Sequence, residues 1–334
     1  MREPEISVVL PVFDAAETLR EAIQSVLDQR DVELELIVVD DFSTDGSRVI
    51  AESMADPRLQ VMENLGSKGV VGAANTGIRA AKANWVARMD ADDRSLPHRF
   101  FNQLKHSNDH PELGVVAGVV RPLESQGEGM DRYVGWVNGL SQHDLIAANR
   151  FIESPVVNPS AMVHRDWLER SGGYHETEWA EDHDLWLRLL EGGCQMGRVD
   201  QAVLDWRDSP DRLTRTDLRY GEDARMAMRA HYLSRMPMVI ERGVVMGGAG
   251  PIGKLLVRKL LERDVRVHQF YEVNPRKHGQ RIHGVPVVEA DSLPQGEDRP
   301  VLLGAVGVPG GRERVREWAT RFGYREGEDF WLIC

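Results

Sequence analysis

Three carboxylates occupy four consecutive positions where an apolar run stops: Trp85-Val86-Ala87-Arg88-Met89 is followed by Asp90-Ala91-Asp92-Asp93. An Asp-x-Asp step at the C-terminal end of a buried strand puts acidic oxygens at the sheet edge where α/β proteins bind ligands. Hard oxygen donors suit Mg²⁺ or Mn²⁺, and those cations suit a diphosphate. The same residues also read as an acidic helix start, where Asp caps free N–H groups and complements the helix dipole. Two further strand ends share the ligand-binding logic. Leu34–Asp41 is an apolar run ending in Asp40-Asp41, and Ile6–Phe13 ends in Pro11-Val12-Phe13. On one sheet edge, a carboxylate such as Asp40 can accept from the imide N–H of uracil, Asp90 can reach a ribose hydroxyl, and Asp92 can bind the metal. Pro11 leaves no amide donor there, and Phe13 can stack on a flat ring.

The elements that must position these residues alternate between strand and helix. After Ile6–Phe13, Asp14 and Glu17 have the spacing of a capping box, and Leu19, Ala22, Ile23, Val26 and Leu27 recur at helical spacing. Leu34–Asp41 is followed by turn residues Ser43-Thr44-Asp45-Gly46 and a helix through about Ala55. Leu59–Glu63 is a third strand. The glycine-rich loop Gly66–Gly72 leads into a helix over Ala73–Ala83, and the fourth strand runs to Asp90. Near-continuous apolar strands alternating with helices predict a mostly parallel sheet covered on both faces. Pro97 suits the first position of a helix over Pro97–His106, and Val115–Leu123 is a further strand. Residues 124–160 carry no readable pattern. Ala180–Glu191 and Asp217–Arg235 have helical spacing, and Met236-Pro237-Met238 ends the latter.

A chain of 334 residues has room for two domains. Its 42% hydrophobic and 28% charged residues are ordinary for a soluble globular protein, and a net charge of −12 excludes a general nucleic-acid binder. Residues 241–334 hold 15 basic and 13 acidic side chains, which leaves about −14 on residues 1–240. Such an acidic first part repels a phosphorylated substrate unless a metal intervenes. The two cysteines, Cys194 and Cys334, cannot build a disulfide framework. The N-terminus does not read as a signal peptide, and no stretch approaches the roughly 20 apolar residues of a membrane span. A cytoplasmic location is expected, with a partner or a lipid-linked substrate as the route to a membrane surface.

Five stretches then occur in order: Ser7–Phe13, Ile37–Gly46 (IVVDDFSTDG), Asn64–Ile78 (NLGSKGVVGAANTGI), Met89–Asp93 (MDADD) and Gly172–Leu190 (GGYHETEWAEDHDLWLRLL). Each is weak alone. Together they resemble family-2 glycosyltransferases of the GT-A fold, over residues 1 to about 216. The resemblance implies the GT-A nucleotide-diphospho-sugar transferase fold and a Mn²⁺- or Mg²⁺-dependent, inverting hexosyl transfer. The donor would be a nucleotide-sugar, with a UDP-sugar expected. The acceptor would be a saccharide or lipid-linked saccharide in polysaccharide or glycoconjugate synthesis. It further implies Asp40 on the base, Asp90 on the ribose and Asp92 on the metal, with Ala91 among the nucleotide-binding residues. Pro11, Val12, Phe13, Asn64 and Lys68 fall on the nucleotide side, although Lys68 also reads as a solvated loop lysine. In the family the Asp of the Glu181-Asp182 pair is the general base, which an acceptor hydroxyl needs in order to attack the anomeric carbon. Glu181 would orient the acceptor, and Trp186 suits a sugar-stacking surface as readily as core packing.

Two departures from the family pattern stand out. Relatives often carry Ala-Arg-Asn where this chain reads Ala73-Ala74-Asn75, and a histidine near the position of Ser209. The third metal ligand is therefore open, with Asp208 a weak substitute. Arg212 and Arg215 lie nearby in sequence and could hold the diphosphate.

A second glycine-rich loop, Gly248-Ala249-Gly250-Pro251-Ile252-Gly253, fits G-x-G-x-x-G between a strand and a helix, and Glu272 ends the next strand where an acid can hold a ribose. With Asn274–Val288, this part resembles the small Rossmann-like domains attached to sugar acetyltransferases and polysaccharide-biosynthesis enzymes. A ligand-free scaffold or a homodimer-forming module fits it as well. The expected organisation is a GT-A domain over 1–216, a helical linker over 217–240 and a Rossmann-like accessory domain over 241–334. Three other functions compete. An NAD(P)-dependent oxidoreductase using the second loop leaves the acidic sites of the first domain unexplained. A sugar nucleotidyltransferase would place a basic, glycine-rich loop where this chain has Phe13-Asp14-Ala15-Ala16-Glu17. A catalytically degenerate sugar-nucleotide-binding protein is kept open by Ala74 and Ser209.

Overall fold

The computed structural model describes residues 3–123, 127–208, 213–291 and 293–334. The chain divides into two compact units. The first takes residues up to 146 together with 155–177 and 181–212; the second takes 147–154, 178–180 and 213–334.

In the first unit the strands are β1 (Ile6–Val12), β2 (Leu34–Asp40), β3 (Leu59–Glu63), β4 (Trp85–Arg88), β5 (Arg94–Ser95), β6 (Leu113–Pro122), β7 (Met162–His164) and β8 (Gln195–Trp206). They form one sheet in the order β3-β2-β1-β4-β7-β6-β8-β5. Strands β3, β2, β1 and β4 run parallel, β7 is antiparallel between β4 and β6, and β6 pairs β8 in parallel. Every residue of β1 and β2 is buried, which is why both read as unbroken apolar runs. The register sets Val12 opposite Asp40, Asp40 opposite Glu63, and Val9 opposite Arg88. The C-terminal ends of these four strands therefore share one edge.

Helices cover the sheet. Leu19–Leu27 buries Leu19, Ala22, Ile23, Val26 and Leu27, the stripe its spacing predicts. Val70–Ala80 packs on β1 and β2 at Gly77, where an added Cβ would run into Val9 Cγ1. Local expectations fail where side chains find distant partners. Asp14 forms no capping box: the helix starts at Leu19 after Thr18, and the Asp14 carboxylate instead accepts from the Thr44 amide at 2.7 Å. Pro97 does not open its helix, which runs over Arg99–Asp109 behind His98. The unpatterned middle contains helices Glu128–Val137 and His143–Asn149.

The second unit contains β9 (Val244–Gly247), β10 (Val267–Glu272), β11 (Arg281–Ile282), β12 (Val285–Glu289), β13 (Val301–Gly304) and β14 (Phe330–Leu332). The order is β11-β12-β10-β9-β13-β14, with all but β11 parallel. Counted from β9, the parallel strands follow the 3-2-1-4-5 order of doubly wound sheets. The expected linker helix is shorter than its pattern: Gly221 separates a 3₁₀ turn, Leu218–Tyr220, from the helix Glu222–Leu233. That helix belongs to the second unit, where Asp223 pairs with Arg258 at 3.1 Å and Lys259 at 2.8 Å. Among the described residues no helix is long and apolar enough to cross a membrane.

Gly77→Ala should lower stability by about 1–3 kcal/mol by overpacking the helix on β1. Urea unfolding measures this, and an unchanged midpoint would refute the close approach.

Candidate functional site

Asp40 sits at the end of β2 with 3% of its surface exposed. Its Oδ1 accepts from the Ser43 amide at 3.3 Å, and its Oδ2 has no hydrogen-bond partner among the described residues. An open acceptor on a largely buried carboxylate at a strand end can receive a ligand donor. Phe13, just past β1, is 51% exposed, and the Lys68 ammonium lies 4.8 Å from its ring centroid. The expected contacts of Pro11 and Val12 are limited by their burial, and Val12 O already accepts from the Asp41 amide at 2.8 Å.

Asp41 turns the other way and organises the glycine-rich loop. Its Oδ1 accepts from Asn64 Nδ2 at 2.6 Å and its Oδ2 from the Gly69 amide at 2.8 Å. Asn64 also donates to Ser67 O at 2.7 Å, while its Oδ1 accepts from the Gly66 amide and the Thr76 hydroxyl. The amide of Asn64 is thus fully occupied. It shapes the loop that carries Lys68 and has no group left over for a nucleotide.

Beyond β4, Arg88 Nε donates to Asp90 Oδ1 at 2.8 Å. Arg88 is 9% exposed, and its Nη1 is buried without a hydrogen-bond partner. Burial works against its charge, but Asp90, Tyr174 and Glu181 outweigh that and raise its pKa. Asp182 is the second residue of the helix Glu181–Glu191, and its Oδ1 accepts from the His183 amide at 2.7 Å. Burial, the adjacent Glu181 and then Asp90 push the Asp182 carboxyl up to about 7. Tyr174 feels the same group: burial, Asp182, Asp90 and Glu181 raise its phenol, against Arg88. Its hydroxyl donates to Asn158 Oδ1 at 2.6 Å. One electrostatic cluster therefore joins Arg88, Asp90, Tyr174, Glu181 and Asp182, and a base titrating near neutrality is what proton abstraction at that pH needs.

The sequence profile described as Glycosyl transferase family 2 matches residues 7–172, which carry β1 to β4 and their acidic ends. The chain belongs to glycosyl transferase family 2. EpsE of Bacillus subtilis is 28% identical over 66% of this chain and 79% of its own. The amylovoran biosynthesis glycosyltransferase AmsE of Erwinia amylovora is 27% identical over 43% of this chain and 52% of its own. The solved structure of S. aureus TarS 1–349 in complex with UDP-GlcNAc shares the fold, with a TM-score of 0.58, 17% identity, and 78% of this chain and 72% of that one covered. The expected GT-A architecture is thereby shown, and the family does not favour the oxidoreductase alternative.

For this family-2 enzyme the structure sorts the expected site residues. Asp40, Phe13, Lys68 and the Asp90–Asp92 step lie at the C-terminal edge of β1, β2 and β4, with Ala91 buried between the two acids. Asp93 is buried and accepts from the Arg207 amide at 2.8 Å, while Arg207 Nε donates to Asp92 O at 2.8 Å. These bonds tie the Asp-x-Asp turn to the end of β8. Trp186 is fully buried, so the core-packing alternative holds and its ring is not presented to an acceptor. Arg215 falls in the second unit, and Arg212 and Ser209 lie outside the described residues. Arg88, Asp41 and Tyr174 were not singled out from sequence. The one available signal was the doubling of Asp40-Asp41, since adjacent strand residues face opposite ways.

In the second unit, Gly248 adopts φ +108°, and a Cβ on Gly253 would run into Gly248 O, whereas one on Gly250 would meet open space. Glu272 is not free: it accepts from the Ala249 amide at 3.2 Å, the Asn274 amide at 3.0 Å and Lys277 Nζ at 2.8 Å. Burial alone would raise its carboxyl, but these donors outweigh it and hold it below the usual range.

Two outcomes are expected. Asp41→Ala should destabilise the enzyme by about 2 kcal/mol or more, because it strands the buried Asn64 donor and the half-buried Gly69 amide; a smaller loss in urea unfolding would remove Asp41 as the loop's anchor. In the metal-free protein the Asp182 carboxyl carbon should titrate near pH 7 by ¹³C NMR. Native Asp182 then holds a proton that the unfolded chain releases near 3.8, so its contribution to stability falls as pH rises from about 4 to 7. A midpoint below 5 would dismiss the Glu181–Asp182–Asp90 coupling.

Proposed function

We propose that this family-2 glycosyltransferase moves a hexosyl group from a UDP-sugar to a saccharide hydroxyl with inversion, using a divalent cation. One observation carries the reading: Asp40 keeps an open acceptor at the sheet edge that also bears the Asp90–Asp92 step, and Asp182 is joined to that edge electrostatically through Asp90. AmsE, a glycosyltransferase of amylovoran biosynthesis, supports a place in polysaccharide synthesis.

The chain's groups divide the work. Asp40 Oδ2 takes the imide N–H of the base, the ring of Phe13 supports it, and Asp90 receives a ribose hydroxyl. Asp182 takes the proton of the acceptor hydroxyl as the oxygen attacks the anomeric carbon from the face opposite the diphosphate; a single displacement inverts the configuration. Glu181 keeps Asp182 basic and orients the acceptor. Asp92 supplies the hard oxygen for Mn²⁺ or Mg²⁺, and no cluster of three metal-binding side chains exists among the described residues. Such a donor set fits a cation held by one carboxylate plus diphosphate oxygens. When bound, that cation stabilises the charge developing on the leaving diphosphate.

UDP with Mn²⁺ should raise the unfolding midpoint, while UDP with EDTA should not. Asp182→Asn should keep this response and lose transfer by about 10²- to 10⁴-fold, the contribution of a general base. Equal stabilisation with and without metal would remove the cation, and normal turnover of the variant would remove Asp182 as base.

A further inference from the structure

Six described non-glycine residues have positive φ: Asp14, Asp31, Phe42, His98, Asp264 and His283. Five are Asp or His, types that tolerate the left-handed region through their short or polar side chains. Phe42, at φ +62°, is the single apolar one. An aromatic side chain there is a genuine outlier, and such strain clusters at ligand sites. The core does not account for it, because Phe42 is 41% exposed.

Its position supplies a reason. Phe42 lies inside the turn that Asp40 closes through the Ser43 amide, directly after Asp40-Asp41. Val12 is the register partner of Asp40, so Phe13 and Phe42 follow adjacent strands out of the same edge at which Asp40 ends β2. Their loops are bonded into one frame: the Asp14 amide donates to Ser43 Oγ at 3.1 Å, the Thr44 amide to Asp14 Oδ1 at 2.7 Å, and the Ala16 amide to Asp45 Oδ2 at 2.8 Å. Lys68 covers one face of Phe13, which leaves the other for a flat ligand.

We propose that Phe42 is a second aromatic wall of the nucleobase site, so that the base of the nucleoside diphosphate packs against both Phe13 and Phe42 while Asp40 reads its edge. This rests on the donor reading above.

Isothermal titration of UDP and of inorganic pyrophosphate, each with Mn²⁺, tests it on the full chain. Phe42→Tyr keeps the ring and should bind UDP within about twofold of wild type. Phe42→Leu and Phe42→Gly should weaken UDP about tenfold, the lower range of base–aromatic stacking, and leave pyrophosphate unchanged. Phe42→Gly relieves the backbone and should unfold within about 2 °C of wild type, whereas a packing residue would lose several degrees. Undiminished UDP binding by Phe42→Leu overturns the proposal and leaves the donor reading standing. Equal loss of UDP and pyrophosphate also overturns it, as a general disturbance of the edge. Failure of wild type to bind UDP overturns both.

Discussion

The register of β1 between β2 and β4 is the constraint on which the site depends. Each of these strands is buried on both faces, so no polar face fixes which residue meets which; the alignment Val12–Asp40 and Val9–Arg88 does. A shift by one residue would exchange the directions of Asp40 and Asp41. In the observed register the pair divides its work. Asp40 keeps an oxygen open at the edge, and Asp41 closes on Asn64 and Gly69. The glycine-rich loop, the helix that follows it and the placement of Lys68 all descend from that second contact.

Charge then separates structural acids from chemical ones. Asp205 is held between Arg94 and Arg121, and Asp184 is paired with Arg188 at 2.7 Å. These carboxylates are neutralised and fix elements in place. Asp182 has the reverse surround, with Glu181 and Asp90 as its main charged neighbours. A chain seeking only stability would not gather three carboxylates there, because Glu181 and Asp90 raise the cost of ionising Asp182. Arg88 makes the cluster tolerable: buried and paired with Asp90, it offsets part of the repulsion while leaving Asp182 basic enough to take a proton.

The sheet, its edge and the identity of the edge acids were legible in sequence because they follow from apolar runs and where those runs stop. Partnerships between side chains far apart in sequence were not. Nothing local shows that Asp14 bonds Thr44 rather than capping its own helix, or that His98 rather than Pro97 precedes the next one. Trp186 has the right residue type for sugar stacking, but its helix is buried nearly all round. Asn64 matched a family position associated with nucleotide, yet four hydrogen bonds within its own loop and to Asp41 use its amide completely. The same limit hid the division into units, since residues 147–154 and 178–180 join the second unit through packing rather than chain order.

The two units share a local grammar, a parallel strand ending in an acid beside a glycine-rich turn, and they show why that grammar alone does not assign a ligand. In the first unit the strand-end acid Asp40 has one oxygen committed to its own turn and one open. In the second, Glu272 occupies the corresponding corner with both oxygens engaged by Ala249, Asn274 and Lys277. Glu272 as found closes its loop, and a ribose hydroxyl would have to displace an amide or an ammonium to reach it. A strand-end acid beside a glycine-rich turn is common to both units; unsatisfied hydrogen-bonding capacity is not, and it is this that separates a site poised for a ligand from one that stabilises its own fold.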